Sequence, residues 1–208
     1  MAHIKIAGAG LGGLSAAINL AQAGISAEVF EMNKDCGCRF HGDLQGIENW
    51  SYGEDALSHL KNMSLKIGFD YKAVKSVKIT NFRESVGISA SLPAFYLLKR
   101  GSEKGTLDYS LKEQALSCGV KINFSKKIPE GDADIIATGP LGRKVFGVDY
   151  GVVFKTEMGD VYEMLLDDSV AYKGYSYLLV VDGYACLCTV LFDKFKDVNG
   201  CFRKTKAD

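Results

Sequence analysis

Gly8, Gly10 and Gly13 stand in the spacing G-x-G-x-x-G directly after a short apolar run, His3–Ala7, and Leu11 and Gly12 complete the loop. The chemistry this spacing serves is phosphate binding. The first glycine lets a strand turn tightly into a helix, the second lets backbone approach a pyrophosphate, and the third lets the helix pack close to the sheet. The phosphates then meet free N–H groups at the helix N-terminus, where the helix dipole also favours negative charge. About twenty residues on, where such units place an acid against ribose hydroxyls, the chain carries Glu31, with Met32 beside it. A glycine-rich turn serving only a ligand-free parallel sheet would not ask for that acid. The residues describe a dinucleotide site.

Elements of the matching kind surround them. Leu14, Ala17, Ile18 and Ala21 repeat at helical spacing, Gly24 is placed to end the helix, and Ala27–Phe30 reads as the second strand. Residues 33–50 are polar and glycine-spaced, predicting a long loop that carries Cys36, Arg39, His41 and Trp50. Arg39 is a candidate for a phosphate or ring edge, with a solvated loop arginine the equal alternative; His41 reads as a surface histidine. A short amphipathic helix is expected over 54–63 and a strand over 74–79. Strands outside the central sheet are expected over 85–98, interrupted by Pro93, as a candidate floor for a substrate pocket. Leu107–Cys118 reads as a helix with Leu107, Leu111, Ala115 and Cys118 inward, capped by Thr106, favoured by Asp108 at its positive end and stopped by Gly119. Strands over 120–124 and 133–137 follow, the latter buried and ending in a second glycine turn, Thr138-Gly139-Pro140. In an open parallel sheet ligands bind at that edge, which makes Thr138 and Gly139 candidate contacts.

After Gly142 the periodicity turns to strands, over 152–156, 161–166, 175–181 and 184–192. Asp182-Gly183 is a two-residue hairpin signal, and the tail FRKTKAD has no visible structure. The fold class is therefore α/β, a Rossmann-like parallel sheet followed by a β-rich portion. The expected division is 1–142 with a β insertion near 72–98, then 143–208.

The 208 residues are 47% hydrophobic and 24% charged with formal net charge +0, so nothing pulls the chain toward nucleic acid or anionic lipid. No apolar run of about 18 residues predicts an integral membrane segment, although peripheral contact stays open. The first strand begins at once, leaving no room for a signal peptide, so a cytoplasmic protein is expected. The six cysteines include Cys36 and Cys38, and Cys186 and Cys188, in C-x-C rather than zinc-type spacing; free thiols are expected and no metal site. Cys186 and Cys188 share a strand face and read as packing.

Gly8, Gly10, Gly13, Ala17, Gly24 and Glu31 together resemble the FAD-binding fingerprint of flavoprotein oxidoreductases. Arg100 followed by the 107–118 helix is similar to a segment of the group containing geranylgeranyl reductases and aromatic flavin hydroxylases, and ADIIATGP is similar to that group's strand around the adenosine. The resemblance implies FAD as cofactor, Glu31 on the adenosine ribose, the 8–13 loop on the pyrophosphate, and Arg100 near the flavin or its phosphates. It further implies NAD(P)H as a candidate electron donor and a small, unsaturated and apolar substrate. The group's late Gly-Asp flavin motif is not found before Asp208: Gly131-Asp132 and Gly159-Asp160 fall too early. A chain cut short, holding FAD weakly, is expected on that ground. Cys36-Gly37 only suggests the group's Cys-Gly motif, and no catalytic residue is assigned. Oligomeric state is open.

Three other readings compete. An NAD-dependent dehydrogenase could use Glu31 equally, but the sequence shows no obvious hydride-acceptor site. A two-nucleotide disulfide reductase would need a second glycine fingerprint and a Cys-x₄-Cys pair, both absent. The non-enzymatic alternative is a nucleotide-binding remnant that takes ADP and does no chemistry.

Overall fold

The computed structural model describes residues 3–139 and 145–207. β1 (His3–Ala7) runs into α1 (Leu11–Gln22), whose Leu14, Ala17 and Ile18 are buried, and then into β2 (Ser26–Phe30). Gly24 ends α1 at φ 75°, a left-handed conformation that favours glycine. The Ile25 N–H donates to the Leu20 carbonyl at 2.9 Å and the Gly24 N–H to Ala21 at 3.0 Å, which satisfies two of the helix's last carbonyls.

The middle of the chain gives β3 (Leu44–Glu48), α2 (Ala56–Asn62), β4 (Tyr71–Val74), β5 (Ser76–Thr80), β6 (Ser85–Ser89) and β7 (Phe95–Lys99). Next come α3 (Leu107–Ser117), β8 (Lys121–Asn123) and β9 (Ile135–Ile136). The last third supplies β10 (Val148–Lys155), β11 (Val161–Leu165), β12 (Tyr175–Val181), β13 (Tyr184–Leu191) and α4 (Val198–Ala207).

Two compact units result, Met1–Tyr71 with Leu98–Leu141 and Lys72–Leu97 with Gly142–Asp208. In the first, four parallel strands lie in the order β8-β2-β1-β9, and α1 packs on α3. The chain leaves β1 toward β2 on one side, and β9 joins β1 on the other. Open α/β sheets bind ligands beside such a reversal of strand order, which here falls at the C-terminal end of β1. Ile6, Leu14, Ile18, Val29 and Ala115 are fully buried in this unit.

The second unit is a six-stranded sheet, order β10-β13-β12-β11-β5-β6, antiparallel except where β5 lies parallel to β11. The β12–β13 turn is the Asp182-Gly183 pair, at φ 49° and 75°, the two positive values a type I′ hairpin requires. α4 covers one face of this sheet: Cys201 packs with Ala171 and Leu191, and Phe202 meets Tyr150 edge-on at 5.1 Å. Beneath it the buried hydroxyls of Ser176, Thr189 and Thr205 lie 2.9 Å from one another. A third sheet has the order β3-β7-β4, and in β4 and β7 the chain changes units.

The α/β class holds, and five local expectations change. The 33–50 loop contains β3, whose single buried side chain, Leu44, gives almost no alternation to read; backbone bonds from Arg100 to Asp43 (3.0 Å) and from Gly42 to Arg100 (3.1 Å) fix that segment. The single strand over 74–79 is two, β4 and β5. The 133–137 strand shrinks to β9 at the sheet edge, and Ile136 is exposed. Cys118 caps α3 half-buried rather than facing inward. Finally, the 202–208 tail belongs to α4 as far as Ala207. Its buried Cys201, Phe202 and Thr205 lie at i, i+1 and i+4, too short a stripe to stand out beside Gly200 and three cations.

Candidate dinucleotide site

The glycine loop satisfies the three demands of a phosphate cradle in atomic terms. Gly8 sits at φ 103°, and a Cβ there would collide with the Ala137 carbonyl and approach Thr138. Gly13 allows no Cβ because the Gly8 carbonyl occupies the place. Around Gly10 and Gly12, by contrast, a Cβ would meet nothing within 4 Å. The first and third glycines are required by packing, and the middle ones face open space. The first hydrogen bond of α1 runs from the Leu14 N–H to Gly10 at 3.0 Å. The N–H groups of Leu11, Gly12 and Gly13 therefore precede the helical ladder and point along the axis at that space.

Glu31 is 8% exposed at the end of β2. Its Oε2 accepts the Ala9 N–H at 2.9 Å, and its Oε1 accepts the Asn33 backbone N–H at 2.8 Å and Asn33 Nδ2 at 2.7 Å. A carboxylate has about four acceptor sites, so three are used and about one is left for a ligand hydroxyl. The backbone of Glu31 is held as well: its N–H donates to Asn123 at 2.9 Å and its carbonyl accepts from Lys126 at 2.8 Å, while Gly8 N–H donates to Phe30 at 2.8 Å. The acid is thus tied to the glycine loop on one side and to the end of β8 on the other. Asn33 was not legible in advance, since an asparagine two residues past an acid is an ordinary loop residue.

The loop, Glu31 and the Ala137–Gly139 turn come together, with Gly139 at φ 74°; Pro140 lies outside the described residues. Met32 is 67% exposed beside them. Arg39 and Arg100 form a separate group around Phe40, their guanidinium carbons 5.8 and 4.1 Å from its ring centre. Arg100 is heavily engaged there. Its Nε and Nη2 donate to Asp108 at 2.8 and 2.9 Å, and its Nη1 donates to Gln45 at 2.7 Å. Asp108 is therefore more than a charge at the helix start: at 1% exposure it also accepts the Gly101 N–H at 3.1 Å.

Cys36 is buried beneath the same group, its Sγ 3.4 Å from the Asp108 carbonyl. Burial pushes its thiol up to about 12, with the Asp35 carboxylate adding to the effect. It stays a neutral thiol at physiological pH and is a poor nucleophile. All six cysteines are free, with Cys38 and Cys118 half-buried and the other four buried. Two fast-reacting thiols are expected from the native protein with an aromatic disulfide reagent at pH 8, and six after denaturation. Rapid labelling of Cys36, mapped by peptide mass, would contradict this burial.

Residues 6–54 match the model of the NAD(P)-binding Rossmann-like domain. A curated relative, the FAD-dependent monooxygenase thnD of Trichoderma harzianum, is 55% identical over 40 residues, which is 19% of this chain and 10% of that protein. Among solved structures, the tetrameric form of 2-methyl-3-hydroxypyridine-5-carboxylic acid oxygenase superposes with a TM-score of 0.62 at 15% identity, covering 100% of this chain and 68% of that one. FqzB gives 0.65 at 14% identity over 99% and 58%, and CtdE in complex with FAD gives 0.56 at 14% over 93% and 60%. The fold is the one these proteins share. At such identities the likeness concerns architecture, with the parallel sheet and the antiparallel sheet both included. The chain spans 10% of the length of the curated relative and 58% to 68% of these structures. No helix among the described residues is long and apolar enough to cross a membrane.

Proposed function

We propose that this chain is the FAD-binding and substrate-facing part of a flavin-dependent oxidoreductase of the monooxygenase kind. The observation that carries the reading is the contrast within the loop: Gly8 and Gly13 leave no room for a Cβ, whereas Gly10 and Gly12 open onto space lined by helix N–H groups and flanked by Glu31. That arrangement suits a pyrophosphate with its ribose. When bound, FAD supplies the electron chemistry, taking a hydride from a reduced nicotinamide and passing electrons to dioxygen or to a substrate. The residues of this chain bind and orient it: the N–H groups of Leu11, Gly12 and Gly13 toward the phosphates, Glu31 toward a ribose hydroxyl, and Thr138 and Gly139 along the neighbouring strand end.

For the substrate, the face of the second unit's sheet opposite α4 offers Tyr162, Met164, Tyr175, Tyr177 and Leu179, placed by the β11–β12–β13 registers. This apolar, aromatic platform suits a small aromatic molecule. Burial holds the Tyr177 hydroxyl well above its usual range, so it stays protonated and able to donate a hydrogen bond. Hydroxylation is preferred over the alkene reduction of geranylgeranyl reductases because the one feature suggestive of the latter's Cys-Gly motif, Cys36, is buried and neutral.

The test is the visible spectrum of the protein after incubation with FAD and removal of free cofactor, followed by anaerobic addition of NADPH. Flavin bands that bleach with the donor support the proposal. Colourless protein that binds ADP alone would support the nucleotide-binding remnant. Glu31→Gln keeps an acceptor and loses the charge, so charge-assisted bonds weaken by about 1–2 kcal/mol and ADP affinity should fall roughly tenfold or slightly more by calorimetry. An unchanged dissociation constant would show that Glu31 does not touch the ribose.

A further inference from the structure

β10 is an edge of the six-stranded sheet, paired with β13 along its whole length from Val148 opposite Leu191 to Lys155 opposite Tyr184, without a bulge. Six of its eight residues are exposed, and it contains no proline. Tyr150, Val152 and Phe154 lie on one face of it, 45%, 40% and 38% exposed. Long, regular, apolar edges are templates for pairing with another chain, and natural sheets blunt them with proline, bulges or shortness. The opposite edge, β6, is blunted in that way, being five residues of which Ser85, Gly87 and Ser89 are polar or small.

We propose that β10 pairs antiparallel with β10 of a second copy of this chain across a two-fold axis, joining two six-stranded sheets into one. Symmetry and charge together fix the register. A two-fold axis perpendicular to the sheet keeps each face continuous, so only registers with a residue on the axis, facing itself, are allowed. With Val152 on the axis, Asp149 faces Lys155 of the partner, Tyr150 faces Phe154, and Gly151 faces Val153. Shifting the axis to Gly151 leaves Lys155 against Gly147, and shifting it to Val153 sets Asp149 against Glu157. Only the Val152 register matches both charges, twice per dimer, and it sets the aromatic pair and the valine pair in one unbroken strip. Cross-strand aromatic and opposite-charge pairs of this kind are the units that stabilise antiparallel sheets. Tyr150 enters the strip already braced on Phe202 of α4.

Sedimentation velocity over a wide concentration range tests this. The parent chain is expected to form a dimer. Asp149→Lys and Lys155→Asp each set like charges opposite one another twice and should weaken the dimer by about tenfold or more. The double variant D149K/K155D restores opposite charges and should recover the parent's dimer constant, a result no merely structural role predicts. Val152→Lys places two ammonium groups on the axis and should leave monomer. Circular dichroism confirms folding; if V152K does not fold, the charge series alone decides. A parent that stays monomeric, open-ended aggregates instead of a closed dimer, or a double variant no tighter than its singles would overturn the proposal.

Discussion

Asp108→Ala is expected to destabilise the first unit by about 3–5 kcal/mol, the usual cost of removing one partner of a buried ion pair. The carboxylate takes both Nε and Nη2 of Arg100 and the Gly101 N–H, and the two side chains are only 1% and 11% exposed. Without it the guanidinium keeps Gln45 and the face of Phe40 but loses its counter-charge in a site water barely reaches. Asp108→Asn retains acceptor and shape and should lose less. A double change to Arg100→Met and Asp108→Leu should recover much of the loss, because a buried pair replaced by apolar groups of like size is often near neutral. Urea titration followed by far-ultraviolet circular dichroism reads the series. A midpoint unmoved in Asp108→Ala would show that the pair does not hold this corner of the fold.

Gly10→Val should do the reverse, sparing the fold and removing the ligand. Gly10 lies at φ −78° and ψ −178°, extended backbone that valine adopts readily, so the substitution imposes no backbone strain. Its side chain would point into the open space before α1 and displace phosphate from the helix N–H groups. Losing two charge-assisted bonds of about 1.5 kcal/mol each predicts a loss of dinucleotide affinity of roughly a hundredfold or more. The thermal midpoint of the ligand-free protein should stay close to the parent's. Equal retention of FAD or ADP by the two proteins would remove this loop from the site.

These variants also mark where the sequence was legible. The glycine loop, the α1 face, the Thr106 cap and the Asp182-Gly183 hairpin were readable because each is set by neighbours a few residues away. Gly24 is a case in point: its left-handed φ and its two carbonyl-capping bonds involve only residues 20–25. What escaped depends on partners far along the chain. β3 owes its extended form to Arg100, more than fifty residues on, and α4 is a helix whose buried stripe is defined by Ser176, Leu191 and Tyr150. Asp108 shows the same limit within a site. Beside the start of a helix, an aspartate is fully explained by the dipole, so the sequence gives no reason to look for Arg100. Asn33 has no local signature at all, yet it spends two donors on Glu31.

The parallel pairing of β5 with β11 has a consequence in time. Lys78, Ile79 and Thr80 leave the ribosome as part of the β5–β6 hairpin, but the strand they join, Glu163–Leu165, lies some eighty residues further along. At the usual rate of about 5–20 residues per second, the hairpin waits roughly 4–17 seconds with one edge of β5 unpaired. During that interval the first unit can complete its own sheet, since β9 arrives at Ile135. Synthesis therefore closes the nucleotide-facing unit before the second sheet has a place for its earliest strands.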